Sequence, residues 1–169
     1  MKFLYGIVLG LLLIQLGSCA FLGFSSRPSH ARVAAQYRAE KKYAAAIKEY
    51  QEHIISRLAD SRREPEENPY FYLILIGDIY LEEGNSGQAL ESYVEAKGRE
   101  VELPLVVDRV RRVARALGDA GKYREAVVLL KKYRELDSFA FDLDIDENIK
   151  EIVKLEDKQN LERRGLKPK

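Results

Sequence analysis

Residues 77–96 read GDIYLEEGNSGQALESYVEA and decide the fold. Small residues and tyrosines follow one another here at separations of 3, 9, 4 and 3. The residues that set this pattern are Gly77, Tyr80, Ala89, Tyr93 and Ala96. Residues three or four apart lie on one face of an α-helix, and Gly84-Asn85 is a turn signal inside the long separation. The stretch therefore predicts two helices that cross closely at their small residues, with a tyrosine beside the crossing.

The same spacing occurs twice more in the chain. The N-terminal copy consists of Ala34, Tyr37, Ala46 and Tyr50, and the C-terminal copy consists of Ala114, Leu117, Ala126, Leu130 and Tyr133. The C-terminal copy also has a glycine turn at Ala120-Gly121-Lys122, whereas the N-terminal copy has Lys41-Lys42 there, without a glycine. The pattern predicts an all-α fold of three helical hairpins.

These residues resemble the tetratricopeptide repeat, a helix–turn–helix unit of 34 residues. On that frame the units are residues 27–60, 70–103 and 107–140, which gives a repeat domain over residues 30–140. The resemblance implies a right-handed α-solenoid, and three units meet the number that such stacks usually need. The charged interval 61–69 is predicted to be a solvated loop.

Residues 141–169 are predicted to form a capping helix with a charged tail, because the last repeat of a stack needs a cover for its apolar face. Asp144, followed three residues later by Glu147, fits a capping box and predicts a helix start there. The alternating carboxylates from Asp142 superficially resemble a calcium loop. Glu147 and Val153, however, stand where such a loop requires glycine and glutamate, which argues against calcium binding.

The N-terminus has the layout of a secretory signal peptide, with Lys2, a short apolar run and small residues before a cleavage point. The run ends at Leu16-Gly17-Ser18-Cys19, which resembles a bacterial lipobox, and Cys19 is the only cysteine of the chain. The resemblance implies a signal peptide over residues 1–18, a lipid on the thiol of Cys19 and a lipidated tether over residues 19–29.

An alternative is an uncleaved anchor helix over residues 3–24, which is long enough to cross a bilayer. Gly6, Gly10 and Gln15 weaken that run. In either case the remaining chain lies outside the cytoplasm. For a lipoprotein of enteric type, Ala20 in place of aspartate implies the outer membrane, with the domain facing the periplasm.

Composition argues against several classes of function. The chain has 28 basic and 27 acidic side chains and a net charge of +1, whereas a general nucleic-acid binder needs a basic surplus. The sequence has no glycine-rich phosphate loop and no nucleophile with a recognisable set of partners. Its two histidines have no neighbours at metal-ligand spacing. We therefore expect no catalytic site, cofactor, metal or small-molecule substrate.

A candidate binding surface follows from the resemblance, because ligands of these repeats usually lie in a concave groove lined by the first helix of each unit. Arg111 and Arg115 occupy positions that are basic in relatives that hold a carboxylate, and two guanidinium groups suit that ligand. Phe71 and Ile74 would add apolar surface. The alternative is a solvated, arginine-rich helix face.

The combined features predict a membrane-anchored, non-enzymatic adaptor that recruits a protein or peptide to a bacterial envelope complex. The alternative is a structural subunit of an outer-membrane assembly or of a secretin or pilus complex, packed permanently and without an exchangeable ligand.

The anchor hypothesis can be tested at a single atom. Cys19→Ala removes the sulfur that would carry the lipid, so we expect it to abolish incorporation of radiolabelled lipid and to leave the signal uncut at that site. Normal processing and localisation of the variant would show that the anchor hypothesis is wrong.

Overall fold

The computed structural model describes residues 29–164, which contain seven α-helices and two short 3-10 turns. The helices are α1 (His30–Ala39), α2 (Tyr43–Ala59), α3 (Tyr72–Glu82), α4 (Ser86–Gly98), α5 (Leu103–Asp119), α6 (Tyr123–Tyr133) and α7 (Ser138–Arg163). The 3-10 turns are Pro69–Phe71 and Arg134–Leu136. Cys19, the predicted signal peptide and nearly all of the predicted tether lie outside the described residues. None of the described helices is both long and apolar enough to cross a membrane.

The helices pair as α1–α2, α3–α4 and α5–α6, and α7 packs on α6. Successive hairpins are in contact, since α2 also packs on α3 and α4 on α5. This confirms the predicted all-α, repeat-like fold. The small residues of the spacing pattern are at most 1% exposed, and they are Ala34, Ala46, Ala89, Ala96, Ala114 and Ala126.

A close crossing lies in the second hairpin, between Gly77 of α3 and Tyr93 of α4. Tyr93 is fully buried, and a Cβ added to Gly77 would lie 2.7 Å from its Cδ1, 2.9 Å from its Cζ and nearer still to Cε1. Atoms this close would have to move, so the ring of Tyr93 occupies the space that any larger residue would need.

The three hairpin turns share one hydrogen-bond pattern. Lys41, Gly84 and Gly121 adopt positive φ angles of 57°, 78° and 74°. In each turn the following residue donates its N–H to the carbonyl five residues earlier, at 2.8 Å. This is a Schellman motif, which favours glycine because a Cβ is strained at positive φ. The predicted turn positions are confirmed, and Lys41 adopts the same conformation without being glycine.

Of the interval 61–69, residues 61–68 form a non-helical connection, as predicted, and Pro69 begins the following 3-10 turn. Side chains hold this connection at both ends. Arg57 Nε donates to Glu67 at 2.7 Å, and its Nη1 donates to Asp60 at 2.8 Å. Asn68 Nδ2 donates to the carbonyl of Arg99 at 2.9 Å. These bonds tie the first hairpin to the end of the second.

The predicted start of the last helix is wrong. The helix begins at Ser138, and its N-cap is Asp137, whose side chain accepts a hydrogen bond from the Ala140 N–H at 3.0 Å. Asp144 is buried in the second turn of α7 and does not cap it. The earlier start places Phe141, which is fully buried, on the core side of the helix.

Gly77→Ala tests the close crossing. Because the added methyl overlaps the ring of Tyr93, we expect the free energy of unfolding to fall by about 2 kcal/mol. Urea unfolding of the purified protein, followed by circular dichroism, measures this change in the free energy of unfolding.

Gly98→Ala is a matched control, since nothing lies within 4 Å of its added Cβ. It should leave stability unchanged or raise it by up to about 1 kcal/mol. Equal losses in both variants would contradict the prediction.

Candidate partner-binding surface

A charged cleft of about 340 Å³ lies between α3 and α5, the first helices of the second and third hairpins. Acidic and basic side chains share its walls, and those that bear on its chemistry are Asp78, Glu82, Arg112, Arg115 and Asp119. The cleft is on the side of the stack where the predicted groove was expected.

Asp78 is a buried carboxylate at the base of this cleft, only 5% exposed. The Tyr93 hydroxyl donates a hydrogen bond to its Oδ1 at 2.9 Å. Arg109 Nε lies 2.9 Å from the same oxygen, but its N–H is not directed at it, so this is a charge contact and not a directed hydrogen bond. Burial, and then the charge of Asp78, raise the pKa of Tyr93, which keeps the phenol protonated as a donor.

Arginine–carboxylate pairs connect the first helices of the stack in series. Arg38 of α1 donates to Glu82 of α3 from Nε at 3.2 Å and from Nη2 at 2.5 Å. Asp78 of α3 faces Arg109 of α5. The last link joins α5 to α7. Each pair spans two helices that are not adjacent in sequence, so the series fixes how the hairpins lie on one another.

That last link involves Arg111, one of the predicted groove residues. Its Nε and Nη2 donate to the two oxygens of Asp144 at 2.6 Å and 2.7 Å, an arrangement that engages the carboxylate bidentately. The hydrogen bonds to Asp144 raise the pKa of Arg111 above its ordinary value. In this arrangement Arg111 serves as a structural cross-link and not as an open donor.

The other predicted groove residues lie in different environments. Arg115 is in the cleft with its side chain 53% exposed, 3.6 Å from Asp108. Phe71 is exposed at the 3-10 turn, where its ring meets Tyr72 edge-on. Ile74 is fully buried, so the expectation that it presents apolar surface at the groove is wrong. The structure does not bring these residues together into one site.

Two residues of the cleft, Asp78 and Arg112, were not among the site residues predicted from the sequence. Arg112 lies beside Arg115 with its side chain 50% exposed, and its Nη1 is 3.7 Å from Asp78. The sequence alone marks Asp78 as unusual, because it is the only charged residue in the apolar stretch 72–81. A charge there predicts a buried ionic contact, although the stretch alone does not name the partner.

The two histidines have local contacts. His30 Nδ1 lies 2.7 Å from Glu49 Oε2. His53 packs edge-on against Tyr72, with ring centroids 4.4 Å apart, and burial lowers its pKa. Among residues 29–164, no three side chains of metal-binding type cluster as a metal site would require.

A second, apolar cleft of about 450 Å³ is lined by α4, α5 and α6. Leu90, Leu117 and Val128 line it, and Val128 is 69% exposed. Its chemistry differs from that of the charged cleft, because it offers contact area and few hydrogen-bonding groups.

Comparison of the chain with protein-family models finds no match, and a search of the curated proteins finds no relative.

Asp78→Asn tests the buried charge at the base of the cleft. The amide can still accept from Tyr93 but no longer balances Arg109, so we expect a loss of about 2 kcal/mol in the free energy of unfolding. Asp119→Asn makes the same change at an exposed position of the cleft and should alter stability by less than about 0.5 kcal/mol. Denaturant unfolding of both variants measures the difference. If the two variants are equally stable, the charge of Asp78 does not contribute to the stability of the fold.

Proposed function

We propose that the protein is a lipid-anchored adaptor of the bacterial envelope, built from tetratricopeptide-type repeats, that binds a carboxylate-bearing segment of a protein partner. The observation that carries the binding proposal is the pair Arg112 and Arg115, exposed together in the cleft between α3 and α5. We propose no catalytic role, cofactor, nucleic acid or small-molecule substrate for the chain.

The repeat assignment is supported by features that recur at one position of the 34-residue frame. Lys41, Gly84 and Gly121 each stand fifteenth in their units, and all three have positive φ. The buried small residues recur in the same register. A repeat unit is one hairpin copied along the chain, and recurrence of both turn and crossing favours that origin.

The anchor is supported by the sequence Leu16-Gly17-Ser18-Cys19 and the apolar run before it. In this proposal the lipid on Cys19 holds the protein at the outer membrane, facing the periplasm. The stack starts at His30, where the tether 19–29 ends. Because several acyl chains hold a protein stably in a bilayer, the helices need make no membrane contact of their own.

The binding proposal depends on which arginines of α5 are already paired closely with carboxylates of the protein. Arg111 uses two donors on Asp144, and Arg109 lies against Asp78. Arg112 and Arg115, one turn apart, have carboxylates no nearer than 3.7 Å and 3.6 Å. Their N–H groups can therefore turn to a new carboxylate, which suits the planar fork of donors that arginine presents.

The acidic side chains of the cleft narrow the choice of partner. Glu82 and Asp119 lie on its walls, so a segment with many negative charges would meet repulsion there. A single carboxylate, from a chain terminus or one acidic residue, with neutral or basic neighbours, fits the cleft better. We propose this class of segment as the ligand.

The double variant Arg112→Ala/Arg115→Ala tests this function in a crosslinking pull-down of the intact lipoprotein from its native membrane. We expect partner recovery to fall at least about tenfold, because truncation removes both donors of a charge-assisted contact. Recovery by the wild-type chain should also fall with added salt.

Lys48→Ala/Lys131→Ala is the matched control, since it removes two exposed positive charges from α2 and α6. It should retain the partners. Unchanged recovery by the arginine double variant would remove the cleft as the binding surface.

The second candidate function, a permanently packed structural subunit, is favoured by the apolar cleft around Leu90 and Val128. A fixed neighbour would cover that area. In the same pull-down, loss of partners on Val128→Glu, together with normal recovery by the arginine variant, would favour this function over the adaptor.

A further inference from the structure

The outer face of α7 carries a stripe of side chains spaced 4, 3, 4, 3 and 4 residues apart, and Ile149 and Leu155 are exposed beside it. The stripe consists of Phe139, Leu143, Asp146, Lys150, Val153 and Asp157, and we call it the α7 stripe. All six are exposed, and the three apolar ones, Phe139, Leu143 and Val153, are 76%, 50% and 49% exposed. The opposite face of the helix, with Phe141 and Ile145, is buried.

This stripe differs from the end that a repeat stack needs. A terminal helix normally turns a polar face to solvent, because no further repeat covers it. Steps that alternate between 4 and 3 repeat every seven residues, which is instead the pattern of a seam between two packed helices. The stripe therefore has the geometry of a contact surface that α7 leaves without a partner within residues 29–164.

The order of charges in the stripe specifies the partner. Asp146 and Lys150 stand at its centre, one turn apart, with Leu143 before them and Val153 after them. If a second copy lies antiparallel, Asp146 faces Lys150 of the other chain twice, and Leu143 faces Val153 twice. Both charge pairs are then attractive and Leu143 meets Val153, whereas Phe139 lies opposite Asp157 at each end of the contact.

The parallel arrangement fails by the same test. It would place Asp146 against Asp146 and Lys150 against Lys150, and like charges directly opposed in an interface are costly. The four central residues of the stripe, Leu143, Asp146, Lys150 and Val153, are thus complementary to themselves in one orientation. Self-complementarity of one patch is the property of a two-fold interface between identical subunits.

We propose that the chain forms a two-fold dimer through antiparallel packing of the α7 stripe of one copy on the same stripe of another. The contact lies on the face of α7 that points away from the stack, so the cleft with Arg112 and Arg115 stays open in each copy. The dimer does not depend on the proposed function, although it would present two such clefts together.

Charge reversals test the antiparallel register directly. Asp146→Lys makes both central positions positive, and Lys150→Asp makes both negative. In a dimer of either variant, the two-fold symmetry turns both attractive pairs into repulsive ones. A mixed dimer of the two variants regains two attractive pairs, because each lysine then faces an aspartate.

The experiment uses the full chain with two different tags, co-expressed, extracted in non-ionic detergent and captured through one tag. The second tag is quantified in the eluate. We expect wild-type chains to recover each other, each reversal to lower its own recovery by about tenfold or more, and the mixed pair to return to the wild-type level. Lys48→Asp, which makes the same reversal as Lys150→Asp on α2, should recover itself normally.

Each outcome decides the proposal. Recovery of the mixed pair shows that both variants are folded, and loss in the single variants shows that shared detergent micelles do not cause the association. The proposal is overturned by any of three results: the second tag is not recovered with wild-type chains, either single reversal leaves its recovery unchanged, or the mixed pair fails to associate.

Discussion

The phenol ring of Tyr93, held between Gly77 and Asp78, is the constraint on which the stack depends. The ring fills the space at Gly77 that a Cβ would take, which sets how closely α3 and α4 approach. Its hydroxyl donates to Asp78, and that carboxylate faces Arg109 of α5. One buried side chain therefore fixes both the crossing within the second hairpin and the charge that joins it to the third.

Burying Asp78 is costly in itself, because a carboxylate loses its hydration away from water. The phenol hydrogen bond and the guanidinium of Arg109 offset that cost, and both depend on helices that are already in place. Pairs of this kind add specificity to an apolar contact, since Arg38–Glu82 and Arg111–Asp144 are satisfied in one stacking arrangement. The same requirement pairs Arg111 with Asp144 and leaves Arg112 and Arg115 exposed in the charged cleft.

Much of the fold could be predicted from the sequence because its rules are local. Small residues such as Ala89 and a turn such as Gly84-Asn85 act within one hairpin, where helical periodicity relates neighbours directly. The errors concern contacts between distant segments. Asp144 looked like a cap because its local spacing fits one, but its partner is Arg111, 33 residues earlier. Ile74 looked available because sequence spacing does not show which side of α3 the neighbouring hairpins cover.

The arginines of α5 illustrate the same limit within the candidate site. Arg109, Arg111, Arg112 and Arg115 are alike in sequence, and only the positions of α3 and α7 decide which of them are already paired. Sequence could place positive charge on this helix, which is one of the two helices that line the charged cleft. The positions of Asp78 and Asp144 in space determine that Arg109 and Arg111 have the close carboxylate contacts, and that Arg112 and Arg115 have only longer ones.

The end of the stack raises a separate physical question, because a repeat fold has no intrinsic reason to stop. If an apolar face on the last helix matched the exposed face of the first helix, copies of the chain could associate head to tail without limit. A face that matches only itself instead gives a closed dimer. Asp146 and Lys150, at the centre of the α7 stripe, make the difference. Against an uncharged helix they would be desolvated without compensation, and against a second antiparallel copy each meets its opposite. The charges thus convert the last exposed face from an open-ended contact into a closed one.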